Sequence, residues 1–320
     1  MIKSITVDTK SSEKTINLVA FNLIIDDLVF EDGSVIAGLL GGGGPQTALG
    51  MRLWNDQVGL FASVSPDLPT EYLDWFDKAG IDHEGLLFRG SQTLRAYQHV
   101  DEKGKRVQEW QTTPADLKLH FNRSVEFLPK AYQQARGFHL GIHAESPDWQ
   151  LIDRLKELGG VLSIETFRPV SSPLPVNNLQ KILAAADIFS CNLHEGRSLT
   201  GLSEPIEIIQ FLMNNGAKMM TLRLGENGSI AAEAESGTAW HAPAVPVAVV
   251  DAVGAGNAYC GGFIAGKLAG MDLVSCSACG AAAASFLIEQ RGMPAWNPDL
   301  PALAQARARL VNELSKSISL

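Results

Sequence analysis

The chain has 320 residues, 46% of them apolar and 19% charged, with a formal net charge of −9. That length accommodates one large α/β domain with insertions, and the acidic balance argues against nucleic acid or anionic lipid as partners, because both call for clustered Lys and Arg. Lys3, Asp8, Lys10, Glu13 and Lys14 leave no apolar leader or membrane span, and the four cysteines, at 191, 260, 276 and 279, suit a reducing, cytoplasmic setting.

Residues 18–25 read as a compact apolar strand, followed at once by Asp26 and Asp27. A carboxylate at the carboxyl end of a strand is where open α/β sheets gather ligand groups, and it can accept two hydroxyl hydrogen bonds. Asp26 is the candidate and Asp27 its solvated neighbour. In Gly41-Gly-Gly-Gly-Pro-Gln-Thr-Ala48 a chain without side chains can lie close to a ligand, although a flexible turn before a helix reads equally simply. A helix is expected at 48–53, a strand at 58–64 and an amphipathic helix at 70–79, stopped by Gly80.

Leu94, Ala96, Gln98 and Val100 alternate towards Asp101-Glu-Lys-Gly104, and Val107 and Glu109 resume the pattern. This predicts a hairpin and an inserted small sheet. From Phe138 the chain returns to strand and helix alternation, with strands at 161–164, 188–191 and 219–223 and helices at 148–158, 179–185 and 205–214. A hairpin through Ile230 and Trp240 and a helix at 300–314 complete it. The whole reads as a single domain, 1–320, built on a doubly wound, mostly parallel sheet between helices. His139 and His143 belong to a strand and its turn, and Cys276 and Cys279 to a packed helix, so neither pair predicts a metal cage.

Asp251-Ala-Val-Gly-Ala-Gly-Asn-Ala-Tyr-Cys-Gly-Gly-Phe263 is the most informative segment. Val247, Val249 and Val250 predict a strand before it, and the small apolar run 258–268 predicts a buried helix after it. A glycine turn opening a helix offers unpaired backbone N–H groups and the positive end of the helix dipole, which together suit an anion such as phosphate. Tyr259 excludes G-x-G-x-x-G, and no G-x-x-x-x-G-K-[ST] is present. Two further segments follow strands: Asn192-Leu-His-Glu195, which also reads as a helix cap, and Thr221-Leu-Arg-Leu-Gly-Glu-Asn-Gly228, an ordinary strand and turn when taken alone.

Together these segments resemble the ribokinase-like, PfkB-type carbohydrate kinases, in order and on the expected elements. The resemblance implies that Gly254, Ala255 and Gly256 close an anion hole and that position 257 takes the proton of the acceptor hydroxyl. Asn257 stands there instead of the family's Asp, and an amide is no general base near neutral pH. It further implies Asp26, Gly41, Gly42 and Gln46 for substrate, with Gln46 in place of Asn and Phe21 in place of a Gly. Asn192 and Glu195 would organise magnesium and phosphate, Glu195 acting on the metal indirectly; Thr221, Gly225 and Gly228 would lie beside the nucleotide. Residues 165–168 match the family's Asp-Pro-Asn-x-Arg poorly. Implied are ATP, Mg2+, a small hydroxylated acceptor, a β lid from segments near 27–38 and 87–119, and a homodimer paired through that lid. Two readings of activity stand open: a phosphotransferase slowed by Asn257, or a catalytically silent ligand-binding relative.

Overall fold

The computed structural model describes residues 14–100 and 106–320, so the hairpin tip expected at Asp101 to Gly104 and the charged positions 3 to 13 lie outside the described residues. The main sheet has eleven strands among them. From one edge the order is Lys316–Ile318, Thr238–Ala242, Ser229–Glu233, Met219–Arg223, Ile188–Asn192, Val161–Thr166, Gly137–Ile142, Leu18–Phe21, Val58–Val64 and Ile81–Asp82, with Leu86–Phe88 also paired to Val58–Val64. Pairing is parallel from Met219–Arg223 onward and antiparallel at the other edge. No helix among the described residues is long and apolar enough to cross a membrane.

Alternation along each strand supplies two cores. Val19, Phe21, Phe138, Leu140, Leu162, Ile164, Phe189 and Leu222 pack on one face under the helices Trp149–Glu157, Val176–Ala185 and Pro205–Asn214. Leu18, Ala20, Val58 and Leu60 face the other way, towards Gly44–Arg52, Ala255–Leu268 and Leu273–Ile288. On this second face close approach is made possible by glycine. A Cβ on Gly261 would lie 2.9 Å from the Met51 nitrogen, and one on Gly262 would lie 2.9 Å from the Cys279 carbonyl carbon.

The single strand expected at 18–25 is two strands in two sheets. Asn22, at φ 77°, turns the chain from Leu18–Phe21 into Ile24–Phe30, and its Oδ1 accepts from Arg123 Nη1 at 2.9 Å. Asn occupies that left-handed conformation at lower cost than other L-residues. Ile24–Phe30 joins Val35–Gly41, Arg95–Val100 and Arg106–Trp110 in a small four-stranded sheet. Of the segment near 87–119, Leu86–Phe88 therefore belongs to the main sheet and Pro114–Phe121 is a helix. The expected strand through Val247, Val249 and Val250 is also absent: this stretch has no ladder partner, and Pro243 and Pro246 lack the N–H groups a strand would donate. The helices begin earlier than expected, at Gly44 and Ala255.

Asp27 is buried rather than solvated. Its carboxylate accepts from Arg95 Nε at 2.9 Å and Nη2 at 2.8 Å, from Gln111 Nε2 at 2.8 Å and from the Gly38 N–H at 2.7 Å. Burial pushes this carboxyl up, but those donors outweigh burial and hold it at about 2.

Two outcomes follow from the packing. Gly261→Val should cost about 1–3 kcal/mol of unfolding free energy, read as a lower urea midpoint, because the helix Gly44–Arg52 has no room to give. Because the Asp27 pKa is depressed on folding, its contribution is present above the ordinary carboxylate range and lost as pH falls through about 2. Arg95→Met should lower stability at neutral pH and flatten the decline below about pH 4, measured by denaturant melts across pH.

Candidate active site

Both glycine-rich segments open helices without a capping side chain. Gly43 (φ 82°) precedes Gly44–Arg52, and Gly254 (φ 79°) precedes Ala255–Leu268. Both conformations favour glycine, and no side chain caps either helix, although Pro45 carries no N–H and the Ala255 N–H reaches the Ala252 carbonyl at 3.4 Å. The two turns pack on each other through Asn257 and Gln46. A Cβ on Gly43 would stand 2.9 Å from Asn257 Nδ2, and one on Gly254 would stand 2.5 Å from Gln46 Cγ. Two positive helix ends therefore converge beside Asn257.

Below them the strands present a polar face. His139, Ser163, Glu165, Ser190, Thr221 and Arg223 alternate with apolar residues that face the opposite core, and all six lie beneath the helix Ala255–Leu268. Parallel register sets Glu165 beside Ser190, and Asn192 beside Arg223. The Arg223 guanidinium is the hub. Its Nη1 donates to Glu165 Oε2 at 2.6 Å and to the Gly256 carbonyl at 2.9 Å, and lies 3.1 Å from Cys260 Sγ; Nη2 reaches Glu195 Oε2 at 3.5 Å. Asn257 Nδ2 donates to the remaining oxygen of Glu165, Oε1, and His139 Nε2 stands 3.3 Å from that same oxygen.

Glu165 and Glu195 are both buried, yet their acidities diverge. Burial pushes the Glu165 carboxyl up, but Arg223 at salt-bridge distance, together with hydrogen bonding, holds it well below the usual carboxylate range. Glu195 is raised, because burial there exceeds the pull of the more distant Arg223. Burial likewise pushes the Cys260 thiol up. Donor atoms of His139, Glu165 and Cys260 lie within 4.8 Å of one another. The guanidinium is already a fixed cation among them, so we assign no metal there.

A cleft of about 840 Å³ opens beside this network. Asn192, Arg223, Gly225, Gly228, Ala255 and Gly256 line it together with the apolar stretch at Val245 to Val249. Gly225 (φ 63°) and Gly228 (φ 80°) shape its rim. Thr221 does not reach it: the side chain is buried and its Oγ1 pairs with Ser190 Oγ at 2.8 Å, so Arg223, two residues on and on the same face, takes the position at the wall. Asn192 and Glu195 form a reciprocal cap of the helix Leu193–Thr200, with Thr166 Oγ1 also donating to Glu195 at 3.0 Å. Glu195 thus stands behind Asn192.

On the other side a much smaller cavity gathers Asp26, Gln46 and Asp251 with Leu28, Leu40 and Gly292. Asp26 is not at the end of the first main-sheet strand but on the small sheet, facing inward, with Gln98 Nε2 donating to its Oδ1 at 2.8 Å. Gly41 is required there, since a Cβ would lie 2.8 Å from the Asp26 carboxyl carbon. Gln46 Nε2 donates to the Leu40 carbonyl at 2.8 Å, and its buried Oε1 has no partner. Glu165, Arg223, His139 and Cys260 were not among the expected site residues; the period-two polarity of their strands marks the first three, whereas Cys260 lies on the helix Ala255–Leu268.

This is a mostly parallel sheet flanked by helices, with a small four-stranded sheet beside it and two uncapped helix termini packed together. The model of the pfkB family carbohydrate kinases matches residues 32–299, and the chain belongs to that family. It is 25% identical to the cytidine kinase of Thermococcus kodakarensis over 274 residues, covering 84% of this chain and 94% of that protein. It is 26% identical over 265 residues to the nucleoside kinase of Methanothermobacter thermautotrophicus, covering 82% of each. The fold is shared with fructokinase from Vibrio cholerae O395, solved with fructose, ADP and calcium, at a TM-score of 0.72 and 17% identity over 92% of this chain and 100% of that one.

Glu195 carries a prediction of its own. A carboxyl whose pKa is raised by folding loses stability as pH climbs through the carboxylate range. Glu195→Gln, which keeps the acceptor for the Asn192 N–H but loses the one for Asn192 Nδ2, should flatten that decline, whereas Glu195→Ala should cost about 1 kcal/mol at every pH by opening the cap. Denaturant melts between about pH 4 and 8 separate the two.

Proposed function

We propose that this enzyme transfers the terminal phosphoryl group of ATP to a hydroxyl of a small sugar-like or nucleoside-like molecule. The observation that carries the reading is the meeting of two uncapped glycine helix termini at Asn257, between the large cleft and the cavity at Asp26. Family membership and the kinase-named relatives favour transfer over the silent, ligand-binding alternative.

In this reading the nucleotide lies in the large cleft against Gly225, Gly228 and the apolar stretch, and its phosphates point at Gly254, Ala255 and Gly256. Gly43 and Gly254 let the two turns pack closely, since a Cβ at either would press on the Asn257 or the Gln46 side chain. Magnesium on the phosphates would meet Asn192, with Glu195 fixing Asn192 from behind. That ion would neutralise phosphate charge and orient the transferring group. Asp26 and Gln46 hold the acceptor; their carboxylate and unpartnered carbonyl oxygens suit hydroxyl donors.

The acceptor oxygen attacks the γ-phosphorus as the bond to the β-bridging oxygen breaks, and ADP leaves with that electron pair. Asn257 receives no proton. It accepts a hydrogen bond from the hydroxyl and aligns it, while the proton departs to the transferred phosphate or to water, late in a loose transition state. Slower turnover than with a carboxylate base is the consequence, by roughly 10²–10⁴-fold. The lid closes over the acceptor, and its outer face, bearing exposed Val35, Tyr97 and Val107, is the surface we propose for pairing into a homodimer.

A thermal-shift screen of ATP with sugars and nucleosides, followed by mass detection of the phosphorylated product, tests the reading. Product should form with ATP and magnesium, and Gly254→Ala should lower kcat/KM by about 10² or more by closing the cradle against Gln46. Wild-type-like turnover in that variant, or the absence of any phosphorylated product, sinks the assignment. A monomeric mass at all concentrations removes the lid pairing alone.

A further inference from the structure

Asn257 does not stand alone where a carboxylate is missing. Its Nδ2 donates to Glu165 Oε1, and Glu165 is in turn held through Oε2 by Arg223 at 2.6 Å. A carboxylate offers only acceptors, so the NH2 end of the amide must face it, and the carbonyl oxygen Oδ1 is turned to the opposite side of Cγ. We propose that Glu165 is the positioning residue of this site: it orients the Asn257 amide so that oxygen, not nitrogen, is offered to the acceptor hydroxyl, and it forces position 257 to be neutral. This rests on the reading of Asn257 as the residue that meets that hydroxyl.

The second half follows from placing an Asp at position 257. Two carboxylates would then touch in a largely buried site, where both cannot be ionised. The groups facing the pair decide which one keeps the proton. From the neighbouring strands these are His139 and Arg223, from the same helix Cys260, and from behind Arg223 comes Glu195; the turn at Gly43 adds no charge. Arg223 contacts Glu165 directly, so Glu165 stays ionised and the proton goes to position 257. A protonated Asp there would donate to Glu165 as the amide does and would be useless as a base.

The test uses the full chain as Asn257→Asp, Glu165→Gln and the double variant, each labelled with carboxyl-13C aspartate. In Asn257→Asp the additional aspartate signal should titrate above about pH 7, and in the double variant it should return to the ordinary range near 4. Transfer from ATP to the acceptor found by screening should be at least about 10²-fold faster at neutral pH in the double variant than in Asn257→Asp alone. If the additional signal of the single variant titrates near the ordinary value of about 4, the proposal is overturned, as it is by equal turnover of single and double variants. Should Glu165→Gln fail to fold, the titration of the single variant decides. Expected titrations without phosphoryl transfer in any variant support the coupling of the two positions and count against the kinase reading instead.

Discussion

The site depends on one buried ion pair, Glu165 with Arg223. Taking both charges out of water is expensive, and the pair is sustained by further partners: Arg223 by the Gly256 carbonyl and Glu195, Glu165 by Asn257, with the buried Arg223 Nε left without a hydrogen bond. The same bonds tie the carboxyl ends of three neighbouring strands to the first turn of the helix Ala255–Leu268. Breaking such a pair by removing one partner typically costs about 3–5 kcal/mol, so the polar face is fixed before any ligand arrives. Preorganisation of this kind is what phosphoryl transfer asks of a protein, since the chemistry leaves it mainly positioning and charge to supply.

Glycine does the complementary work. Where Gly43 and Gly254 sit, the backbone adopts conformations that most L-residues take only at a cost, and neither helix has a side-chain cap. The helix dipoles and free donors are then available at the point where Asn257 stands. Thus the charge-bearing side chains lie below and the charge-receiving backbone lies above.

Much of this was legible in the sequence. The segment Asp251 to Phe263, the glycine run at 41 to 44 and the alternation of strands with helices point to the sandwich and to its anion turn. The remainder was obscured for specific reasons. An apolar run gives no sign of a sheet change, so Asn22 hid the break in residues 18–25. Three β-branched valines look like a strand, but strands need partners, and Val247 to Val250 has none in the ladder. Asp27 looked like a solvated neighbour because its partners, Arg95 and Gln111, are remote in sequence. Thr221 was chosen over Arg223 by pattern, although both lie on one face of a strand and only the longer side chain reaches the cleft wall.

The electrostatic consequence concerns the order of binding and chemistry. A carboxylate at position 257 would confront the incoming phosphates with negative charge, which magnesium and the helix termini must offset. In this chain the carboxylate lies one layer deeper, at Glu165, and the guanidinium of Arg223 screens it from the cleft wall. In the proposed reading, nucleotide association would be eased and the step that moves the hydroxyl proton handicapped. The acceptor side is built the opposite way, with the Asp26 and Asp251 carboxylates and the Gln46 carbonyl gathered around a small cavity. In the proposed reading a hydroxyl-bearing molecule would meet these acceptors while its reactive oxygen meets only an amide. In that reading, this division of charge would favour binding over turnover.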